Sequence, residues 1–181
     1  MPSSPAAGRP PIVRALEASP EALDQLSSLL VETVEAGGSV SFMHPLSPHD
    51  ASCFWEDSLA AAAGGSRVVF GAWDGAFLAG TVTLLLDFPP NQPHRAEVAK
   101  MMTRPSHRGR GVATALMRAL EAEAARRGKT LLVLDTAEDG GAATLYERLG
   151  YTRAGVIPDF ALKPHGGLTG TILYWKRLGS G

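Results

Sequence analysis

The chain lacks a second cysteine. With only Cys53 in 181 residues, no intrachain disulfide can form, and zinc or redox patterns built on several cysteines are excluded. A reducing compartment is the natural setting. It also lacks charge of one sign: 17 basic against 18 acidic side chains leave a formal net charge of −1. Nucleic acid or anionic lipid would therefore need a local basic patch, and none stands out. Long apolar runs are missing as well. The best candidate, residues 77–88, is broken by Gly80 and threonines and falls short of the ~18 residues of a membrane-spanning helix. Residues 1–11 have neither the basic start nor the apolar run of a secretory signal. They are expected to be a mobile tail before a single domain over residues 12–181, in a soluble, cytoplasmic protein.

What is present is a regular alternation of elements. Residues 12–16 read as a first strand. Ser19, Pro20 and Glu21 then stand in the order that starts a helix, which Leu23, Leu26, Leu29, Leu30 and Val34 continue until Gly37 and Gly38. Residues 38–48 have no clear period and read as a loop with buried anchors at Val40, Phe42 and Met43. A second helix is expected over about 48–63, with Phe54, Trp55 and Leu59 inward and Cys53 packed beside them. Residues 67–73 and 77–88, separated around Asp74-Gly75, make an antiparallel hairpin. Residues 96–103 and 131–135 are apolar strands on either side of a strong helix over 109–127. That helix has the stripe Val112, Leu116, Met117, Leu120 and Ala124 and a Glu123–Arg127 pair. Strand, helix and strand in this order predict a parallel unit buried on both faces. A short helix at 142–149, a strand at 151–156, a Pro/Gly loop and a strand at 171–176 complete the pattern.

The most informative stretch runs Arg104-Pro105-Ser106-His107-Arg108-Gly109-Arg110-Gly111-Val112-Ala113, between a buried strand and a long helix. A turn there exposes backbone N–H groups at a helix N-terminus, where they and the helix dipole favour an anion such as a pyrophosphate. Arg104, His107, Arg108 and Arg110 supply several possible cations. The plainer alternative is a solvated basic helix start that uses glycine for geometry. A dinucleotide fingerprint would need a small residue where Thr114 stands, and a P-loop is ruled out because Gly128-Lys129-Thr130 leads from helix to strand.

The form Arg108-x-x-Gly111-x-Ala113, with Pro105 just before it, resembles the acetyl-CoA pyrophosphate motif of the GNAT superfamily of N-acetyltransferases. Leu145-Tyr146-Glu147-Arg148-Leu149-Gly150-Tyr151 is similar to another phrase of that family. The resemblance implies a GNAT-like α/β (α+β) fold: a mixed, mostly antiparallel sheet of about six to seven strands with a central parallel pair, flanked by about four helices. A narrower likeness lies in Gly38-Ser39-Val40-Ser41-Phe42-Met43, Arg95-Ala96-Glu97-Val98, Lys100, Leu134-Asp135-Thr136 and Tyr151-Thr152-Arg153. These segments resemble a branch of the family that acetylates a β-lactam amino-acid toxin. The family's Asn in the loop before the last helix is replaced here by Glu138-Asp139-Gly140-Gly141, so that cofactor contact is not carried over.

The resemblance implies that backbone groups of Met101, Met102 and Thr103 bind the pantetheine arm like an added strand. It likewise implies that Arg108, Gly109, Arg110, Gly111, Val112 and Ala113 bind the pyrophosphate of acetyl-CoA. Met101, Met102 and Thr103 could equally be an ordinary paired strand. Acetyl transfer to an amine needs a base and an acid. Tyr146 stands where the family keeps its acid, with a core aromatic as the alternative. Glu97 is the leading base, because a carboxylate in a buried strand must be paired or functional. A structural salt bridge with Arg95 or Lys100 is the competing role, although simple alternation puts Glu97 and Lys100 on opposite faces. Asp135 ends an apolar strand where α/β sheets place ligands, and could be base, ammonium anchor or cap. Phe160 and Trp175 read as core, and the five histidines show no metal-ligand spacing. The expected reaction is direct acetyl transfer to the primary amine of a small amino-acid-like molecule, by a monomer or homodimer needing no metal. The alternatives are a catalytically silent acyl-CoA-binding module and an acetyltransferase for protein N-termini or lysines. The loops at 39–47 and 157–167 look long enough to close over a small acceptor.

Overall fold

Two serine caps set the first pair of helices. Ser19 Oγ accepts from the Ala22 N–H at 3.1 Å and Ser47 Oγ from the Asp50 N–H at 3.0 Å, each just ahead of a proline whose missing N–H would have been unpaired anyway. The structure, a computed structural model, describes residues 11–179, so most of the expected tail lies outside the described residues. The elements are β1 (Ile12–Ala15), α1 (Pro20–Glu35), α2 (Pro48–Ala63), β2 (Arg67–Asp74), β3 (Phe77–Leu85), β4 (Arg95–Thr103), α3 (Val112–Arg126), β5 (Leu131–Ala137), α4 (Ala143–Arg148), β6 (Thr152–Leu162) and β7 (Leu168–Arg177). A 3-10 turn, Pro105–His107, sits between β4 and α3.

The strands form one seven-stranded sheet in the order β1-β2-β3-β4-β5-β7-β6, antiparallel throughout except for the central pair β4–β5. This is the mixed α/β architecture expected of the GNAT fold. Each face carries its own core. On one, Leu116, Met117 and Leu120 of α3 lie over Val82, Leu84, Ala96, Leu132 and Leu134. On the other, Leu26, Leu29 and Leu30 of α1 with Trp55 and Leu59 of α2 cover Val69, Trp73, Leu78 and Met102. Burial on both faces explains the near-continuous apolar run of these strands. Gly80 lets α3 settle closely, since a Cβ there would lie 2.7 Å from the Met102 carbonyl oxygen and 2.9 Å from Val112 Cγ1.

Two departures from simple strand geometry matter. In β4 the register against β3 slips between Thr81↔Met102 and Thr83↔Ala99, and Lys100 takes a left-handed φ of 53°. This bulge puts Lys100 on the same face as Ala99, and so on the Glu97 side, against the opposite-face expectation. In β6 the strand runs on to Leu162, where a Pro/Gly loop was expected beyond Val156. Pro158 is tolerated because β6 is the outer strand, and the register shift between Ile157 and Ala161 with Asp159 at φ 52° absorbs the irregularity. Met43, Phe160 and Trp175, read as buried, are exposed at 45%, 52% and 36%. Cys53 is exposed too, its Sγ lying 3.8 Å from His49 Nε2.

Candidate active site

The central parallel pairing is short. It joins Arg95↔Leu131, Ala96↔Leu132 and Glu97↔Val133 and then stops. Beyond it, β4 stays on β3 as far as Thr103↔Gly80, while β5 stays on β7 as far as Ala137↔Thr171. The two strands therefore part, and among the described residues the edge of Met101, Met102 and Thr103 that faces β5 has no strand partner. Met102 is buried in the α1/α2 core and Met101 packs against the α3 core, so both faces hold the backbone while its edge stays open. An extended chain of amides can add to such an edge.

At the end of the gap lies the glycine-rich turn. Arg108 is extended, Gly109 has φ 74° and Gly111 has φ 80°, the latter as the N-cap of α3 with no side-chain cap. A Cβ on either glycine would meet nothing within 4 Å, so left-handed backbone and open space in front of it, not crowding, call for glycine. The first N–H groups of α3 are left for a ligand, with the dipole adding attraction for an anion. Val112 is 3% exposed, so it offers its backbone only.

Two of the four expected cations are committed elsewhere. Arg104 is buried, donating from Nε to the Leu78 carbonyl at 2.8 Å and from Nη2 to the Gln25 carbonyl at 3.2 Å, with Nη1 paired to Glu32. It ties α1 to the sheet. His107 Nε2 lies 3.4 Å from Asp74 Oδ2, and its ring stacks on Phe77 at 5.6 Å. Arg108 and Arg110 remain exposed beside the turn.

Across the gap the acid–base candidates gather. Asp135 is exposed at the β5 position two residues past the last parallel pair, and its Oδ2 accepts from Thr171 Oγ1 at 2.8 Å. Tyr146, 4% exposed, packs between Tyr151 at 5.8 Å and Tyr174 at 5.9 Å. Among the described residues its hydroxyl forms no hydrogen bond. Burial, with the Asp135 charge adding to it, pushes the Tyr146 phenol up to about 12. The Asp135 charge is thus within reach of the Tyr146 hydroxyl. Glu97 is on the same face of the sheet as Asp135, opposite the core that holds Tyr146, and only half-buried, and Arg95 Nη1 lies 3.4 Å from its Oε2. The ion pair weighed as its competing role is present.

Sequence reasoning missed the partners of Lys100. Its Nζ donates to Ser41 Oγ at 3.0 Å and lies 5.6 Å from the Phe54 ring centroid. Ser41 is itself left-handed, at φ 75°. Lys100, Phe54, Ser58, Arg67, Thr83 and Ala99 line a cavity of about 160 Å³ under α2. Burial lowers the Lys100 pKa from the ordinary lysine value, Asp135 opposes that shift, and Arg67 reinforces it. The loop holding Ser41 meets the β6–β7 turn: the His44 N–H donates to the Pro164 carbonyl at 2.9 Å, and the His44 and His165 rings lie 4.5 Å apart. No signal local to any of these segments announces the contacts.

Comparison with known proteins identifies the family and the fold. A family model described as the acetyltransferase (GNAT) family matches residues 28–151, a span that includes the parted strands and the turn. The chain belongs to that family. It is an acetyltransferase, with acetyl-CoA as co-substrate. Among solved structures it is similar to an N-acetyltransferase from Staphylococcus aureus Mu50, with TM-score 0.79 and 19% identity over 93% of this chain and 99% of the other. It is also similar to a GNAT superfamily phosphinothricin acetyltransferase from Sinorhizobium meliloti in complex with AcCoA, with TM-score 0.80 and 18% identity over 96% and 91% of the chains. A third, yncA from Salmonella typhimurium with its cofactor acetyl-CoA, gives TM-score 0.72 and 16% identity over 93% and 95%. At these identities the likeness speaks for the fold.

Proposed function

We propose that residues 12–181 act as one domain that transfers acetyl from acetyl-CoA directly to the primary amine of a small amino-acid-like molecule. The observation that carries this is the parting of β4 and β5 after Glu97↔Val133, with Asp135 and Tyr146 beside the gap it opens. The unpaired edge of Met101, Met102 and Thr103 suits the amides of the pantetheine arm. The N–H groups from Arg108 to Ala113, with Arg108 and Arg110 nearby, suit the pyrophosphate. The thioester is then delivered towards Asp135 and Tyr146.

Asp135 takes a proton from the acceptor ammonium, directly or through one water, and Glu97 adds negative charge on the same face. The freed amine attacks the thioester carbonyl carbon. As the tetrahedral intermediate collapses, the C–S bond breaks and the Tyr146 hydroxyl donates to the departing sulfur. The second amine proton restores the phenol. No covalent enzyme intermediate is needed. The raised phenol pKa keeps Tyr146 protonated across the whole range in which an amine is acetylated.

A small acceptor is favoured over a protein one because the α1–α2 loop and the β6–β7 turn are joined at His44 and Pro164 above this face. The segments resembling the tabtoxin resistance protein make β-lactam amino acids the first acceptors to try, and a detoxifying role would follow from them. Phosphinothricin is the second, from the name of a structural neighbour. A free, exposed Cys53 suits a reducing, cytoplasmic setting. The test is thiol release from acetyl-CoA with a panel of such amines, read together with the product mass. One acetyl gained per thiol released supports the reading; acetyl-CoA binding with no amine acetylated contradicts it.

A further inference from the structure

Two cations line the cavity under α2, and among the described residues no acidic side chain lines it with them. Arg67 Nη1 donates to Ser58 Oγ at 3.2 Å and Lys100 Nζ to Ser41 Oγ at 3.0 Å, both neutral hydroxyls. Among the described residues neither side chain forms an ion pair. Among the described residues Arg67 Nε and Thr83 Oγ1 are buried without a hydrogen-bond partner, and Thr83 is 1% exposed. Placing two like charges and two unsatisfied polar atoms in one partly apolar cavity is costly unless something anionic enters it. The rest of the lining, Phe54, Leu85 and Ala99, would accept a short apolar stem.

The position of the cavity ties it to the reaction. Lys100 sits at the β4 bulge, beyond the point where β4 leaves β5, and Asp135 is within coulombic reach of it across the gap. An ammonium beside Asp135 and an anion beside Lys100 would be the two ends of one small zwitterion.

We propose that this cavity is the anion subsite for the acceptor, and that Lys100 and Arg67 select amines carrying a nearby carboxylate. The proposal rests on the acetyl-transfer reading above. A planar guanidinium and a mobile ammonium together can bind one carboxylate by charge-assisted hydrogen bonds. A neutral carboxamide leaves both cations uncompensated.

The experiment compares kcat/KM for L-amino acids with that for their carboxamides, in the wild type and in Lys100→Met, Arg67→Met and Lys100→Arg. Unchanged acetyl-CoA affinity serves as the folding control. The expected result is a preference for the acid of about 10²-fold or more in the wild type. That preference should fall at least about tenfold in either Met variant, mostly through KM, and be largely kept in Lys100→Arg. Carboxamides acetylated as well as acids, or a Lys100→Met loss shared equally by both, would overturn the subsite while leaving acetyl transfer intact. If none of these amines is acetylated, the small amino-acid-like acceptor is the reading that falls. Calorimetric titration with N-acetyl-L-glutamate in the presence of CoA then reads the subsite alone. Binding lost in Lys100→Met supports it, and equal binding or none overturns it.

Discussion

The glycine-rich turn proposed for the phosphates and the surface proposed for the acceptor lie along the same parted strands, yet they are built from different materials. The turn offers backbone N–H groups within residues 104–113, using two left-handed glycines and an uncapped helix start. The proposed acceptor site draws on Asp135 from β5, Glu97 and Lys100 from β4, Arg67 from β2 and Ser41 from the α1–α2 loop, with Tyr146 from α4 reaching it from the α3-side core. A backbone site depends on conformation and tolerates most side-chain changes. A side-chain site changes specificity with each substitution. One half is thus suited to a constant co-substrate and the other to an acceptor that can vary.

The sharpest way to break this comparison is Asp135→Asn, which should cut kcat by about 10²–10⁴-fold while leaving acetyl-CoA affinity unchanged. Steady-state kinetics beside calorimetry would show the two properties moving together if the division were false. Next in size is Arg104→Leu. It leaves Glu32 unpaired and the Leu78 and Gln25 carbonyls without a donor, and should cost about 3 kcal/mol in urea unfolding. Because Arg104 faces α1 and not the turn, acetyl-CoA affinity of the folded variant should hold.

Tyr146→Phe should lower kcat by about 10²-fold. Its pH dependence has a definite sign. As the proposed acid the phenol acts in its protonated form, and its pKa is raised to about 12, so the wild type should show no activity loss from Tyr146 on the alkaline side until near that value. A downturn near pH 9 that vanishes in Tyr146→Phe would oppose this assignment. Arg108→Ala should weaken acetyl-CoA binding about tenfold and flatten its salt dependence, since Arg108 adds one exposed charge to a backbone-made site. The smallest effect is expected far from both halves. Glu123 is held well below the usual carboxylate range, at about 2, chiefly by its hydrogen bond from Arg126 and also by Arg127. Glu123→Gln should lose about 0.5 kcal/mol at neutral pH. That difference is full above the unfolded carboxylate value near 4.5 and should fade as pH drops towards 2.

The same division explains what could be read from the sequence. Features encoded locally were legible. α2 runs over Pro48–Ala63 because Ser47 and Pro48 start it and Gly64 follows, and the apolar stripe of α3 is the set of residues it buries. The turn was legible because its glycines and its helix start are contiguous. The cations around it were misread in part, since nothing in the order Arg104, His107, Arg108, Arg110 tells which side chain turns back to α1 or to Asp74. The bulge at Lys100 was invisible, because a lysine in a left-handed conformation carries no glycine or proline to mark it. Arg67 and Lys100 meet in one cavity only because β2, β3 and β4 lie side by side. Pro158 suggested a loop, but an outer strand has room for a residue without an N–H.

Amide hydrogen exchange on the protein with and without acetyl-CoA tests directly whether the co-substrate site is built from backbone along the parted strands. Added acetyl-CoA should slow exchange at Met101, Met102 and Thr103 and from Gly109 to Ala113, while amides around Arg67 and Asp135 keep their rates until an acceptor analogue is also present. Slowing that begins at Arg67 and Asp135, or leaves the β4 edge and the turn unchanged, would contradict a co-substrate site built from backbone along the parted strands.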